Sequence, residues 1–349
     1  MPVYAFAAEP LVELQKGDHV AIVGSGLADR QQHHAWFEAM IHRAYPEAEL
    51  TVRNLGFAAD EINVQPRSDE VPTTDWFLGM KKGDTTREGQ PDVIYKAGTD
   101  FGADVIFAYW GFNESFKGPE GVDAFKRNLD QYLSKLQAAK YNGESAPRIV
   151  LFSPIAHENL KSPNFSDGSE NNRNLSLYTA AMAEVAKAKQ VAFVDLFQPS
   201  QVLYQEAKSP LTINGIHLNE SGDQALAAVQ YQAVFGKAAP AMDATLGKIQ
   251  SEVLGKNLEW HHRYRTVDQF NIFGGRSRIA YEGVTNAKIL GQELAQRDVK
   301  TANRDKAVWA AAQGKSYVVK DDNLPAVDLT PANRKEEVPY MDPEEAIQH

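Results

Sequence analysis

The chain has 349 residues, no cysteine, 36 basic and 46 acidic side chains, and a formal charge of −10. The lack of cysteine excludes thiol catalysis, zinc–thiolate sites, iron–sulfur clusters and covalent haem attachment through Cys-x-x-Cys-His. The acidic balance argues against a nucleic-acid partner, because phosphates favour basic surfaces. No run of about 18 apolar residues is present, so we expect no membrane span. Nothing in the pattern of residues predicts a cofactor or a metal site.

The N-terminus carries one targeting signal. Residues 5–9 read AFAAE, which fits the small-x-small pattern that precedes a signal-peptidase cut. We therefore predict that residues 1–16 are a tail that includes the remnant of a signal peptide, and that the protein is periplasmic or secreted. The alternative is a cytoplasmic protein with an alanine-rich tail.

Short apolar segments alternate with segments of helical spacing through the first two thirds of the chain. The predicted strands cover residues 19–23, 50–55, 104–110, 148–153 and 191–196. The predicted helices cover residues 27–45, 123–140 and 175–189, with another that begins near residue 221. Strands that are apolar throughout and alternate with helices are typical of a parallel sheet covered on both faces. We predict a flavodoxin-like three-layer α/β sandwich over residues 17–237.

Two segments break this alternation. Residues 60–102 form a long polar insertion, which predicts a functional cap or a set of small elements. Residues 238–322 are predicted to be a helical extension, and residues 323–349 an extended tail with scattered proline and acidic residues. The helices of the extension are predicted at residues 242–260, 286–297 and 302–312.

Polar turns follow several of the predicted strands. Ser25 follows the first strand, Asn113 follows the third, and His217 stands in a turn before a helix. Because the carboxyl ends of parallel strands meet at one edge of a sheet, we expect these side chains to converge there. A hydroxyl, hydrogen-bond donors and a histidine are the groups that acyl transfer requires: the imidazole takes a proton and the donors hold the developing oxyanion.

These residues resemble the SGNH hydrolase superfamily, also called GDSL-type esterases. The resemblance covers roughly residues 17–237 and rests mainly on two blocks. Residues 111–114 read GFNE, where the family has Gly-x-Asn-Asp, and residues 215–218 read GIHL, where the family has Asp-x-x-His-Leu. Gly222 follows the second block at the expected place.

The resemblance implies a role for each matching residue. The Asn113 side chain and the backbone N–H of Ala59 correspond to the oxyanion donors, and His217 corresponds to the catalytic base. The family's fold is an SGNH-type α/β sandwich, and its reaction is the hydrolysis of an ester bond without a cofactor.

Two positions depart from the family pattern. The family's Gly-Asp-Ser-Leu block reads Gly-Ser-Gly-Leu at residues 24–27, so Gly26 stands at the nucleophile position and Ser25 at the preceding aspartate. The family's aspartate three residues before the histidine is Asn214. Its carbonyl can accept a hydrogen bond from Nδ1–H of His217 but brings no charge. In serine proteases the same exchange lowers kcat about 10⁴-fold.

Three interpretations follow from these departures. In the first, Ser25 is the nucleophile after a one-residue shift of the turn, which its flanking glycines allow, and Asn214 or a carboxylate orients His217. The carboxylates close in sequence to these turns are Asp195, Glu220 and Asp223. In the second, His217 activates water directly and Asn113 polarises the ester. In the third, the pocket has lost catalysis and only binds.

We therefore predict an ester hydrolase that removes an acyl group from a carbohydrate, with a small-molecule or glycan ester as its partner. The carbohydrate is suggested by the resemblance and by the aromatic and basic residues 260–265 (WHHRYR), since aromatic rings stack on sugars and guanidinium groups pair with carboxylates or sulfates. These residues could instead pin the extension to the sheet. The alternatives are a degenerate carbohydrate-binding or assembly protein and a structural subunit; the sequence does not indicate the oligomeric state.

Overall fold

A computed structural model describes residues 9–67, 74–79, 85–87, 90–95, 101–266 and 269–331. The predicted cleavage pattern at residues 5–9 therefore lies almost entirely outside the described residues. The first half of the predicted N-terminal tail and most of the predicted C-terminal tail lie outside them as well.

The strands of the described residues form three sheets. They are β1 His19–Gly24, β2 Thr51–Asn54, β3 Thr85–Arg87, β4 Gln90–Tyr95, β5 Val105–Tyr109, β6 Arg148–Phe152, β7 Ala192–Val194, β8 Ala280–Tyr281 and β9 Val284–Thr285. The main sheet has the order β2-β1-β5-β6-β7, and each neighbouring pair is parallel. Strands β3 and β4 form an antiparallel pair inside the insertion, and β8 and β9 form another inside the extension.

Helices cover both faces of the main sheet. They are α1 Gly26–His34, α2 Trp36–Ala44, α3 Thr74–Leu78, α4 Val122–Ala138, α5 Ser169–Lys189, α6 Phe197–Glu206, α7 Glu220–Phe235, α8 Ala244–Tyr264, α9 Gln269–Phe273 and α10 Asn286–Ala312. Buried residues of α2, α7, α8 and α10 form one core cluster, and those of α4 and α5 form another. Across the described ranges, no helix combines the length and apolar character needed to cross a bilayer.

The strand β1 shows why the predicted strands are apolar throughout. Val20 and Ile22 point into the first core cluster, whereas Ala21 and Val23 point into the second. A strand with helices on both faces buries both sets of alternating side chains, so neither set can be polar. The predicted parallel α/β sandwich is therefore confirmed.

Two helices differ from their predicted extents. The predicted helix over residues 27–45 is broken at Ala35, which adopts a left-handed φ of +59°. The two predicted helices at residues 286–297 and 302–312 are instead one continuous helix, α10. Side chains stabilise its middle, since Asp298 accepts from Arg263 of α8 and the Thr301 hydroxyl donates to a carbonyl four residues earlier.

Buried charge pairs join the extension to the sheet. Arg53 of β2 donates to both carboxylate oxygens of Asp305 in α10 at 2.9 and 2.5 Å. Lys256 of α8 donates to Glu38 of α2 at 2.6 Å, and all four side chains are at least nine-tenths buried. The Trp260 indole also donates to the last carbonyl of β2 at 2.6 Å. The extension therefore covers the edge of the main sheet next to β2.

Candidate active site

The turn after β1 passes very close to β5. Gly24 has a φ of +135°, and a Cβ on it would stand 2.1 Å from the carbonyl oxygen of Tyr109. A glycine is needed here for both reasons. The next residue, Ser25, donates its backbone N–H to the same carbonyl at 3.1 Å, which fixes the start of α1 at the carboxyl end of the sheet.

Gly26, the residue at the family's nucleophile position, lies next to His217. A Cβ built on Gly26 would stand 3.8 Å from Nε2 of His217 and 4.0 Å from the carbonyl oxygen of Ala58. Both are ordinary van der Waals distances, and the φ of Gly26 is not positive. Steric constraints therefore do not explain the glycine, and a side chain at this position would reach the imidazole.

Ser25 lines the same pocket as His217, but the two side chains do not form a hydrogen bond. Its hydroxyl makes no hydrogen bond with any described residue, and it does not cap α1. The residue is 98% buried, since its relative exposure is 2%, and it lines the pocket together with His217.

Asn214 contacts His217 through its amide nitrogen and not through its carbonyl. Oδ1 of Asn214 accepts from the backbone N–H groups of Ile216 and His217 at 3.2 and 3.0 Å. Nδ2 is therefore left to face Nδ1 of His217, at 3.0 Å. Because an amide nitrogen only donates, Nδ1 must accept, and the proton of the neutral imidazole is on Nε2. Burial, then the nearby Arg30, lowers the pKa of His217, which favours the neutral ring at pH 7.

The turn that carries Asn214 and His217 is anchored by Glu158. Its carboxylate accepts from the backbone of Leu211 at 3.0 Å, the backbone of Thr212 at 2.8 Å and the Thr212 hydroxyl at 2.6 Å. That hydroxyl oxygen accepts in turn from the backbone of Gly215 at 2.9 Å. The backbone N–H of Glu158 donates to the Gly215 carbonyl at 2.8 Å. Glu158 thus holds both ends of the turn, Leu211 and Thr212 through its buried carboxylate and Gly215 through its backbone N–H.

The proposed oxyanion donors lie on the far side of Gly26. Nδ2 of Asn113 donates to the carbonyls of Ala58 and Asp60 at 3.1 and 2.9 Å. Its two amide hydrogens therefore hold the turn that contains Ala59 and do not point into the pocket. The backbone N–H of Ala59, in contrast, makes no hydrogen bond within the described part of the chain.

Glu114 stands where the family has aspartate and ties the same two loops together. Its two oxygens accept from the backbone N–H groups of Ile62 and Gly111, each at 3.0 Å. Burial raises the pKa of Glu114 to about 7. Like Asn113, it shapes the rim of the site through backbone contacts.

A pocket that is partly open to solvent lies between these loops. Its apolar lining includes Leu27, Tyr109, Trp110, Phe112, Ile155 and Ile216. Its polar lining includes Arg30 of α1 and Asp223 of α7. Burial raises the pKa of Asp223 to about 7 although the Trp36 N–H donates to it, and its Oδ2 has no partner among the described residues.

The sequence reasoning did not identify two residues of this site. Arg30 lies one helical turn after Gly26, so the period of α1 could have placed it beside the glycine. Glu158 carries no such signal, because it meets its turn only through tertiary contacts 53 and 54 residues away. The three carboxylates considered as orienters separate in the fold. Asp195 caps the start of α6 through Phe197, and only Asp223 lines the pocket.

The aromatic and basic residues 260–265 mainly pack the extension onto the sheet. Trp260 and Tyr264 are buried and donate to the carbonyls of Asn54 and Leu55. The guanidinium of Arg265 lies over the ring of Phe57, 3.4 Å from the ring centroid. Arg67 makes a second cation–π contact with the same ring, at 3.6 Å. None of these residues lines the pocket, so this segment does not support a sugar site.

Within the described ranges, no group of three or more His, Asp or Glu side chains is arranged to hold a metal ion.

The sequence model of the GDSL-like lipase/acylhydrolase family matches residues 17–225. The chain belongs to this family, and the resemblance found in the sequence is confirmed. An ester hydrolase is the class of enzyme that this membership supports. No curated protein matches the chain at a significant level.

Solved structures provide fold likenesses only. Axe2, an acetylxylan esterase from Geobacillus stearothermophilus, is 14% identical; the match covers 64% of this chain and 96% of Axe2, with a TM-score of 0.44. A gut microbial diltiazem-metabolizing enzyme is 15% identical, with 64% of this chain and 48% of that enzyme covered and a TM-score of 0.47. This chain therefore matches about half the length of the diltiazem-metabolizing enzyme. Likenesses at these TM-scores carry no argument about activity.

Proposed function

We propose that this chain hydrolyses a short acyl ester on a carbohydrate, with a water molecule as the nucleophile. The observation that carries this reaction is the position of Gly26: the space that a serine side chain would fill is open, 3.8 Å from Nε2 of His217 at its Cβ position. The Ser25 hydroxyl does not hydrogen-bond with His217, which favours water over this serine. In the proposed reaction His217 takes the proton of the attacking water as the new C–O bond forms. It then gives this proton to the sugar oxygen as the ester C–O bond breaks, so that the acid and the free sugar hydroxyl are the products.

The oxyanion donors in this proposal are the backbone N–H of Ala59 and the amide of Asn113. Ala59 has its N–H free of described partners. Asn113 must release one of its two carbonyl contacts, with Ala58 or Asp60, before it can donate to substrate.

Asn214 makes the proposed reaction slow. To accept a proton at Nε2, the imidazole must carry its own proton on Nδ1, and this loses the hydrogen bond from the Asn214 amide. An asparagine at the corresponding place in a serine protease lowers kcat about 10⁴-fold for this reason. We therefore expect turnover well below that of an esterase with an aspartate here.

The substrate class is proposed from the pocket and its mouth. The mainly apolar lining fits a short acyl chain. Phe112 of that lining packs edge-on against Phe116, with the ring centroids 5.4 Å apart, and Phe116 is 62% exposed. An exposed ring beside an acyl pocket suits the apolar face of a sugar.

A four-protein comparison tests the reaction. Wild type, Ser25→Ala, His217→Ala and His262→Ala are incubated with 4-nitrophenyl acetate and with acetylated sugars. His262, exposed on α8, is the matched control. We expect turnover to survive in Ser25→Ala and His262→Ala and to fall by about 10²-fold or more in His217→Ala.

A serine-directed phosphonate separates the nucleophiles. If water attacks, the mass of the treated wild-type protein stays unchanged. An adduct on Ser25, together with loss of turnover in Ser25→Ala, would instead make this serine the nucleophile.

Replacing Phe116 tests the sugar part of the proposal. In Phe116→Ala we expect KM for an acetylated sugar to rise about three- to tenfold, because an exposed stacking surface is lost, while KM for 4-nitrophenyl acetate stays unchanged. Steady-state kinetics on both substrates measures this. Equal effects on the two substrates would contradict a sugar contact at this ring.

A second candidate is ligand binding without turnover on the same fold. The contacts of Asn214 and Asn113 favour it, because one holds the imidazole in the tautomer that cannot act as a base and the other is occupied by backbone carbonyls. Absence of turnover with every ester, in a protein that binds the acylated sugars, would select this candidate.

A further inference from the structure

Several hydrogen-bond donors lie around Gly26, together with one acceptor, the carbonyl oxygen of Ala58. Ser25 lines the pocket. The residue has a relative exposure of 2%, and its hydroxyl makes no hydrogen bond with a described residue. Gly26 itself begins α1, a helix of nine residues whose N-cap side chain does not cap it. The first N–H groups of a helix carry a partial positive charge.

His217 adds a donor at the same point. Since Oδ1 of Asn214 is held by two backbone N–H groups, the amide cannot turn its carbonyl toward the ring without losing both. Nε2 therefore keeps the proton, and Nε2 is the atom that faces the open space beside Gly26. An aspartate at position 214 would reverse this polarity and add a negative charge.

Arg30 supplies a positive charge that forms no direct ion pair with a carboxylate of the described residues. Its one hydrogen bond in the described structure runs from Nη2 to the carbonyl of Leu218 at 3.2 Å. No carboxylate of the described residues lies within ion-pair distance of its guanidinium, and Nε is buried without a partner. In a chain of net charge −10, an unpaired arginine at a pocket is a strong local attraction for an anion.

We infer that this pocket binds a small carboxylate, with one oxygen received by Nε2–H of His217 and the Ser25 hydroxyl and the charge balanced by Arg30. A planar carboxylate provides acceptors only, which matches these three donors of the pocket lining. The acid could be free or could form part of a larger ligand. This binding needs no turnover, so it holds or fails separately from the proposed hydrolysis.

Asp223 is the one lining group that opposes an anion. It faces Arg30, the Trp36 N–H and, along α7, Glu220. Burial raises the pKa of Asp223 to about 7, so its carboxyl is largely neutral at pH 6, where a carboxylic acid ligand is still ionised.

The test compares propionate with its neutral isostere, propionamide, at pH 6. Binding is followed by the ¹⁵N signals of the His217 ring in histidine-labelled full-length protein, assigned by their loss in His217→Gln. We expect Nε2 to be the protonated nitrogen, propionate to shift its signal with saturation, and propionamide to bind at least tenfold more weakly.

Variants locate the donors. Arg30→Gln and Asn214→Asp should each weaken propionate at least tenfold, whereas Arg127→Gln, an exposed arginine on α4, should leave binding unchanged. If Arg30→Gln does not fold, Arg30→Lys replaces it and should weaken propionate at least threefold through loss of the guanidinium fork.

Several results would overturn the inference: a proton on Nδ1 of His217, no saturable shift with propionate, or equal binding of propionate and propionamide. The wild-type comparison alone decides it, because it requires no variant. If propionate fails while esters are hydrolysed, only the carboxylate inference falls. If propionate binds while no ester is hydrolysed, only the proposed hydrolysis falls.

Discussion

The amide of Asn214 and the missing side chain of Gly26 change two different steps of the family's reaction. The first sets which nitrogen of His217 carries the proton. The second removes the atom that would attack. Neither change disturbs the fold locally, because the amide keeps the backbone contacts of its turn and the site of the missing Cβ has ordinary clearance.

The double variant Gly26→Ser with Asn214→Asp should therefore react as a serine esterase. We expect covalent modification at position 26 by a serine-directed phosphonate, and a rise in turnover of 4-nitrophenyl acetate of at least 10²-fold. The reason is that the new hydroxyl would lie beside an imidazole whose Nε2 can now accept its proton. Mass spectrometry of the labelled protein measures the first effect and initial rates the second.

Each single variant supplies the control. Gly26→Ser alone should label slowly, since its imidazole keeps the wrong tautomer, and Asn214→Asp alone should not label at position 26. An unlabelled double variant that is folded would contradict the geometry described for Gly26 and His217.

Asp223 should make stability depend on pH. Its folded pKa of about 7 lies above the ordinary value of an aspartate, so the folded state holds a proton that the unfolded state loses at lower pH. The stabilisation is complete below about pH 4 and is lost as the pH rises toward 7. The stability of Asp223→Asn relative to wild type should therefore be higher at pH 8 than at pH 5, by about 3 kcal/mol.

Urea unfolding at pH 5 and pH 8 measures this difference. Burial also raises the pKa of Glu114 to about 7, and Glu114 remains in the variant. The change in the free energy of unfolding with pH should therefore be smaller in Asp223→Asn than in wild type, but not zero. Glu144→Gln, at an exposed turn, controls for the change of charge. If the free energy of unfolding of Asp223→Asn changes with pH as much as that of wild type, the raised pKa of Asp223 is contradicted.

At the scale of single residues, the sequence predicted which residues lie together in the site. It did not predict which of their atoms donate and which accept hydrogen bonds. The order of the strands and the family blocks were enough to place Ser25, Gly26 and His217 at one edge. Which atom of Asn214 faces the ring depends on two backbone N–H groups in the folded turn. That information exists only once the turn has its three-dimensional form.

The turn at residues 211–217 is the element that presents the histidine, and it is held by one buried carboxylate. Glu158→Gln keeps the size of the side chain but leaves one acceptor oxygen for the donors of Leu211 and Thr212. We expect a loss of about 1–3 kcal/mol in the free energy of unfolding. Denaturant unfolding checks this, and Glu206→Gln, exposed at the end of α6, should change it by less than about 0.5 kcal/mol.

A loss in Glu158→Gln no larger than in the control would mean that the turn is held mainly by its own backbone contacts.

The helices show which element boundaries the sequence could not predict. Alanine favours a helix interior, so nothing local predicts the break at Ala35. The new N-terminus of α2 is satisfied instead by Asp223, whose carboxylate accepts from the Trp36 N–H. A contact between α2 and α7 thus decides a boundary that local propensity would place elsewhere.

At the scale of the whole molecule, buried ion pairs join the extension to the rest of the fold. Removing one partner of such a pair leaves an unpaired buried charge and lowers stability. Asp305→Ala leaves the guanidinium of Arg53 buried and unpaired. We expect a loss of about 3–5 kcal/mol in the free energy of unfolding. Denaturant unfolding of the full chain measures it.

The exposed pair of Lys288 and Asp328 provides the comparison, because Asp328 is largely open to solvent. Asp328→Ala should change the free energy of unfolding far less than Asp305→Ala does. Equal losses in the two variants would mean that Arg53 finds another partner or water when Asp305 is removed.

Phe57 connects this architecture to the site. Its ring is contacted by Arg67 of the insertion and by Arg265 at the end of α8, and it lies two residues before Ala59. The insertion and the extension therefore both contact the loop that follows β2. The family match ends at residue 225, so a fragment cut there would keep the contact of Phe57 with Arg67 and lose the one with Arg265.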